Sequence, residues 1–362
     1  MRKFIILLIL GFITYPVFSQ NRLYEAYIPA PMDISSESAR FYNQSIDLYQ
    51  QGLLYDAYYK LNQSIAGKNV PASAYYFRAI VNNELGFYKE AESDLKKYLA
   101  TPEGKTNEYL VEYEYYRYHS LQENFPQAAT HLKKSLALNN DFYLALHVLG
   151  MKHFKDKNYA QAVKSFAKVV NLNPRYAKSY NDLASSYMLM GENENAFANY
   201  SKAVNLEPEN VQYLNNRAFV SLIMNNITAA AADIAKVQKL SPTNRFSMQN
   251  DALLAMTKDD QALAYSKYTD LIKANPLFAV AYLNRGIIAA SLDKYDEALS
   301  DYNQALNLDP NLAAVYLNRA NLYFDLDRDE DAKADLRTAE TFGLVKQKTP
   351  THIDTFFNNL GE

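Results

Sequence analysis

The sequence contains no cysteine and no tryptophan. Without cysteine there is no disulfide, no thiolate metal site and no cysteine nucleophile. Without tryptophan, the 31 tyrosines must supply most of the large aromatic packing. A tyrosine buries its ring and keeps its hydroxyl wet, which suits half-buried helix faces and contact surfaces equally. Excess positive charge is lacking too: the formal net charge is −3, a poor electrostatic match to nucleic acid, whose binding rests on Lys and Arg neutralising phosphates. Beyond Phe4–Phe18 no apolar run approaches the length that spans a bilayer, so no transmembrane segment is expected in the mature chain. What is there is ordinary for a folded protein, with 49% hydrophobic and 21% charged residues, which argues against disorder.

Residues 1–19 have the form of a removable export signal, with retention as an uncleaved anchor the alternative. Arg2 and Lys3 make a positive start, Phe4 to Phe18 is apolar apart from Thr14, and Val17-Phe18-Ser19 offers a cleavage site before Gln20. Removing Arg2 and Lys3 would take the net charge from −3 to −5. No cysteine follows the apolar run, so a lipid anchor is not expected, and the chain is expected to be exported, periplasmic or secreted. Residues 20–37, with Pro29 and Pro31, read as a flexible leader.

Prolines then keep time through the chain. Pro174, Pro208, Pro242, Pro276 and Pro310 follow one another at a constant step. Small residues recur on the same beat at Gly150, Ala184, Ala218, Ala252, Gly286 and Ala320, and again at Ala162, Ala196, Ala230, Ala264, Ala298 and Ala332. Large apolar residues recur at Phe166, Tyr200, Ile234, Tyr268, Tyr302 and Leu336. This pattern predicts pairs of antiparallel helices: the small residues let two backbones approach, the large residue fills the remaining gap, and each proline ends the second helix. Met190-Gly191-Glu192-Asn193 breaks the helical period and marks a turn inside one pair.

Residues 177–210 resemble the tetratricopeptide repeat, with Tyr180, Leu183, Ala184, Tyr187, Ala196, Tyr200, Ala203 and Pro208 at its eight signature places and Tyr180 where tryptophan is frequent. Residues 143–176 and 279–312 match almost as well. The composition also resembles that of exported envelope repeat proteins of the Bacteroidota. The resemblance implies an all-α, right-handed superhelical solenoid of about nine helix pairs over 38–342, beginning near 38, 72, 109, 143, 177, 211, 245, 279 and 313. Thr101 to Thr106 is expected as a loop that absorbs the extra length of the second unit. In residues 343–362, Ile353, Phe356, Phe357 and Leu360 lie at helical spacing and predict a capping helix.

No catalytic pattern stands out. Gly104-Lys105-Thr106 imitates the tail of a phosphate-binding loop, but Leu99 occupies the place of its required glycine. The five histidines form no His-Glu-x-x-His, and the acidic run from Asp325 to Asp331 lacks the glycine and closing glutamate of a calcium loop. No metal and no cofactor is expected, and the chain is read as a non-enzymatic scaffold or adaptor holding a protein or extended peptide in a cell-envelope assembly. The alternatives are a structural subunit using convex or end surfaces, or a glycan-binding protein.

By resemblance to the family, first helices line an inner groove. Asn216, Asn250, Asn284 and Asn318 fall at one groove register, one per repeat, with Asp182 and Asn43 at the equivalent place. An asparagine side chain can pair with both a C=O and an N–H of an extended backbone, so four in register would form a ladder like that of some tetratricopeptide scaffolds. Local helix packing is the competing reading. The adjacent Arg217, Arg285 and Arg319 are expected either to meet a ligand carboxylate or to pair with acidic residues of the next repeat. The lysines of the family's carboxylate clamp are missing. Tyr109, Tyr113, Tyr115, Tyr116 and Tyr118 crowd one predicted helix, with Tyr109 and Tyr113 stacked, and offer a second contact surface for a partner or sugar rings if they are not simply core.

Overall fold

The computed structural model describes residues 26–33 and 36–342. The expected export signal and the capping segment with Phe356 and Phe357 lie outside the described residues. Helices come in successive pairs: α1 (Glu37–Gln50) with α2 (Leu54–Ala66), α3 (Ala72–Leu85) with α4 (Tyr88–Leu99), and, after the short α5 (Pro102–Thr106), α6 (Glu108–Leu121) with α7 (Phe125–Leu138). There follow α8 (Tyr143–Lys155) and α9 (Tyr159–Leu172), α10 (Ala177–Leu189) and α11 (Asn193–Leu206), α12 (Val211–Ile223) and α13 (Ile227–Leu240). The last pairs are α14 (Arg245–Thr257) and α15 (Gln261–Ala274), α16 (Ala279–Ser291) and α17 (Tyr295–Leu308), α18 (Ala313–Asp325) and α19 (Asp329–Thr341). No strand occurs among the described residues. No helix among them is long and apolar enough to cross a membrane. One expectation is corrected: the stretch 101–106 is not a loop but holds one helical turn, α5, whose start is capped by Thr101 Oγ1 accepting from the Gly104 N–H at 3.0 Å.

The described residues fall into two compact units, one ending at Ser186 and one beginning at Tyr187. In each unit a first helix packs on its own second helix, which packs on the next first helix. First helices also touch one another, as α3 touches α6 in one unit and α12 touches α14 in the other. The interlock is as the small residues require. Ala162, Ala196, Ala230, Ala264, Ala298 and Ala332 are all fully buried. A Cβ added to Gly150 would lie 2.6 Å from Phe166 Cε1, and one added to Gly286 would lie 2.8 Å from Tyr302 Cε1. Each glycine on a first helix therefore admits the ring of its own second helix, and nothing larger fits without moving that ring.

The turn inside each pair repeats a single backbone device. Gly52, Gly86, Glu123, Lys157, Gly191, Asn225, Asp259, Asp293 and Asp327 all have φ between 57° and 80°. The residue after each donates its N–H to a carbonyl in the last turn of the first helix, as in Asn158 to His153 at 2.8 Å and Asn226 to Ser221 at 2.7 Å. This left-handed C-cap closes the first helix and reverses the chain into the second. Between pairs, the proline turns serve as acceptors: the Tyr282 hydroxyl donates to Pro276 O at 3.2 Å, and the Tyr316 hydroxyl to Pro310 O at 3.1 Å. Tyrosine at the family's tryptophan place thus ties a first helix to the turn before it.

Lys157 and Glu123 occupy a backbone conformation that disfavours side chains. Lys157→Gly and Glu123→Gly are each expected to stabilise by about 0.5–1 kcal/mol, the strain relieved less the glycine entropy. Gly191→Ala should lose a similar amount. Urea unfolding curves check all three, and a Lys157→Gly chain that is less stable than wild type contradicts the assignment.

Candidate functional site

Asparagine holds the groove register in five repeats, at Asn43, Asn216, Asn250, Asn284 and Asn318, and the side chains there are mostly enclosed. Asn250 and Asn284 are fully buried, Asn318 is buried, and Asn216 is half-buried. Asn250 Nδ2 donates to Asn215 O on the preceding first helix at 3.0 Å, and its Oδ1 has no hydrogen-bond partner among the described residues. Asn284 lies against the Tyr268 hydroxyl. Asn318 Nδ2 donates to Ala314 O of its own helix at 2.8 Å. Asp182, fully buried, accepts from Asn181 Nδ2 at 3.1 Å and sets its Oδ2 3.3 Å from His147 Nε2. His147 is itself buried, which lowers its proton affinity. The buried Glu114 holds the same register in the third repeat.

Asn43, at this register in the first repeat, does what a ladder asparagine would do. Its Nδ2 donates to Met32 O at 2.7 Å, and the Met32 N–H donates to its Oδ1 at 2.9 Å. One side-chain amide thereby satisfies both polar groups of one residue in an extended segment. Residues 26–33 are not free: Ala26, Tyr27, Ile28 and Met32 pack on the core of this unit. The Tyr27 ring meets Phe142 edge-on at 5.9 Å, and Ser73 Oγ approaches Met32 Sδ at 4.0 Å. Asn43 lies on α1, Ser73 on α3, and Phe142 immediately before α8. The segment thus crosses successive first helices, with residue number rising toward α1. Pro29 and Pro31 are the legible signal for it, since they forbid helix and favour extended backbone.

The three predicted arginines are engaged within their own repeats. Arg217 Nε and Nη2 reach Asp233 at 2.7 Å each, Arg285 reaches Asp301 at 2.8 and 2.7 Å, and Arg319 reaches Asp335 at 2.7 and 2.8 Å. Each aspartate stands on the second helix of the same pair and not in the next repeat. Arg78 pairs with Asp94 in the same way, a case that sequence reasoning missed. The remaining Nη1 points back to the preceding second helix, to Asn62 from Arg78 at 2.7 Å and to Asn303 from Arg319 at 2.6 Å. The clips of Arg78, Arg285 and Arg319 therefore each join three helices, the aspartate being held by bidentate, charge-assisted bonds. In the seventh repeat the charges are exchanged: Asp251 holds the arginine place on the first helix and pairs with Lys267 at the aspartate place on the second.

The tyrosine cluster divides between core and edge. Tyr113 and Tyr116 are buried, with rings 5.5 Å apart, whereas Tyr109 and Tyr115 are half-buried. Tyr109 and Tyr113 both pack edge-on against Phe142, at 5.0 and 5.1 Å. Tyr115 lies 5.2 Å from the His131 ring. Beneath them lies a buried ion cluster that no spacing announced, in which Arg117 Nη1 donates to Glu114 Oε2 at 2.8 Å and Nη2 to Glu84 Oε1 at 3.0 Å. Tyr49 also donates to Glu84. Burial pushes the Glu114 carboxyl above its usual range. No group of His, Cys, Asp or Glu among the described residues is arranged to hold a metal ion.

Sequence profiles of the tetratricopeptide repeat match residues 177–210, 279–312 and 313–341. Residues 177–210 and 279–341 carry tetratricopeptide repeats. The chain is similar in fold to a tetratricopeptide repeat protein from Parabacteroides merdae, with 19% identity, 72% of this chain and 100% of that chain covered, and a TM-score of 0.62. It is also similar to the APC/C hetero-tetramer Cut9-Hcn1, with 14% identity, 90% and 84% covered, and a TM-score of 0.52. No curated protein matches.

Within these tetratricopeptide repeats the clips should count energetically, because Arg285 and Asp301 keep only 19% and 6% of their side-chain surface exposed. Truncating one partner, as in Asp301→Ala, should cost about 1–3 kcal/mol, between a surface and a buried pair. Asp251→Arg alone and Lys267→Asp alone should each destabilise, while the double substitution, which restores the arrangement of the other repeats, should return to near wild-type stability. A double-mutant cycle by thermal unfolding checks this, and additive losses would contradict it.

Proposed function

We propose that the chain is a non-enzymatic scaffold of an exported cell-envelope assembly, and that its first-helix face holds a protein partner as an extended peptide. Tetratricopeptide folds commonly serve protein–protein interaction. The observation that carries the reading for this chain is Asn43, which grips the N–H and C=O of Met32 from the ladder register. A backbone held by both polar groups is recognised whatever its side chain, so the register suits extended peptides in general. Further along, Asn250 keeps an Oδ1 with no hydrogen-bond partner among the described residues. That oxygen is fully enclosed, so Asn250 supports the register from behind, and the half-buried Asn216 with the less enclosed Asn318 stands at the proposed contact. Asn284, in the unit beginning at Tyr187, and Asp182, in the unit ending at Ser186, hold the same register from within their own units, and the arginines hold the helices that present it. Arg2, Lys3 and the apolar run after them support export.

The test has two parts. Cross-linking in the native envelope identifies the partner, and calorimetry with the purified pair then measures affinity. Asn216→Ala and Asn318→Ala should each weaken binding about 5- to 10-fold, the value of one net hydrogen bond of roughly 1–1.5 kcal/mol, at unchanged helicity. Equal affinity in both variants disposes of the ladder, and a partner insensitive to every first-helix substitution favours the reading in which outer surfaces make the contact.

A further inference from the structure

We infer that residues 26–33 are a built-in competitor: they occupy in cis a site on the first-helix face of the unit ending at Ser186, which takes in trans an extended, proline-containing peptide with an aromatic residue several places before an apolar one. This deepens the scaffold reading, on which it rests, by naming the partner's chemistry and what guards its site.

Three features of the segment carry the argument. Its backbone is prepared for the role: Ile28-Pro29-Ala30-Pro31 lacks two N–H groups and disfavours helix at Ile28 and Ala30, so it arrives extended and loses little entropy on docking. Its anchoring is spaced as a peptide ligand's would be. Tyr27 seats its ring against Phe142, and further along Met32 is fixed by its backbone to Asn43 and by its sulfur near Ser73. Between the anchors, Ala30 and Pro31 face solvent, so the middle of the segment adds reach and not contact. The third feature is modest burial: no residue of the segment is fully buried, and it carries no helix or strand. Such a segment opens at low free-energy cost compared with the helices beneath it.

Tethering explains how so small a contact persists. A short linker to α1 gives the segment an effective concentration on the order of millimolar, so even a weak site stays filled in cis. A partner must therefore match the segment's chemistry with more contacts, or bind elsewhere on the scaffold as well.

The test uses a fluorescent peptide copying residues 26–33 and the full chain. The wild-type chain should bind it at least about 10-fold more weakly than a chain whose residues 26–33 are replaced by Gly/Ser of equal length, because the cis copy competes at about millimolar effective concentration. Adding Asn43→Ala to the replaced chain should weaken peptide binding about 10-fold, from two lost hydrogen bonds of about 0.7 kcal/mol each. A folded replaced chain that ignores the peptide, or that binds a scrambled copy without prolines equally well, overturns the inference. Should the replaced chain fail to fold, a Tyr27→Ser chain, which loosens the cis segment and keeps Asn43, decides: peptide uptake with loss of protection at the Met32 amide supports the site, and no uptake overturns it. Failure here leaves partner affinity at Asn216 and Asn318 unaffected, so this inference and the general scaffold reading fall separately.

Discussion

Everything in this protein depends on two helices lying close enough for a small residue on the first to receive a ring from the second. Gly150 beneath Phe166 and Gly286 beneath Tyr302 show how little room remains. That contact sets the distance within a pair, and the left-handed turn at the end of each first helix sets the direction of return. Neither pair face can be buried alone, so repeats must stack, and stacking in turn creates the row of first helices on which residues 26–33 lie.

Polar groups in these units act mainly as staples. The clips of Arg78, Arg285 and Arg319 fasten a first helix to two second helices at once, and Asn250 of the ladder register reaches back to Asn215 on the preceding first helix. Arg117 between Glu114 and Glu84 is the extreme case, a guanidinium with almost no exposed surface whose charge is balanced inside the core. Removing one partner from such a cluster is costly, whereas the pairing itself contributes less to stability than to a single mode of stacking. The exchange of charges at Asp251 and Lys267 fits that view, since a seventh repeat slipped against its neighbours would bring like charges together.

Much of the fold is legible in the sequence because the packing constraint falls on residue size, and size shows there as a strict period. Less legible is the turn, where Gly52, Lys157, Asn225 and Asp327 share one backbone conformation without sharing chemistry. The loop expected at 101–106 is a helical turn because Thr101 supplies a cap and Pro102 suits a first helical position. At the site, spacing puts Asn216, Asn250, Asn284 and Asn318 at one place on four first helices, but spacing does not report enclosure, and Asn250 and Asn284 are fully buried. For the arginines, a partner in the next repeat is the wrong expectation, since the aspartate within reach stands on the second helix of the same pair, as Asp233 does for Arg217. Pro29 and Pro31 suggest flexibility when taken alone, although the same two prolines prepare the segment for Asn43.

The absence of cysteine makes the central claim, that the first-helix face holds an extended chain, directly measurable. Met32 and Ser73 sit with Sδ and Oγ 4.0 Å apart, so in the full chain carrying Met32→Cys and Ser73→Cys a short thiol-to-thiol cross-linker should join the two cysteines within one molecule, and Asn43→Ala should lower the yield. Two thiols that stay free, or that link only to other molecules, would contradict the account.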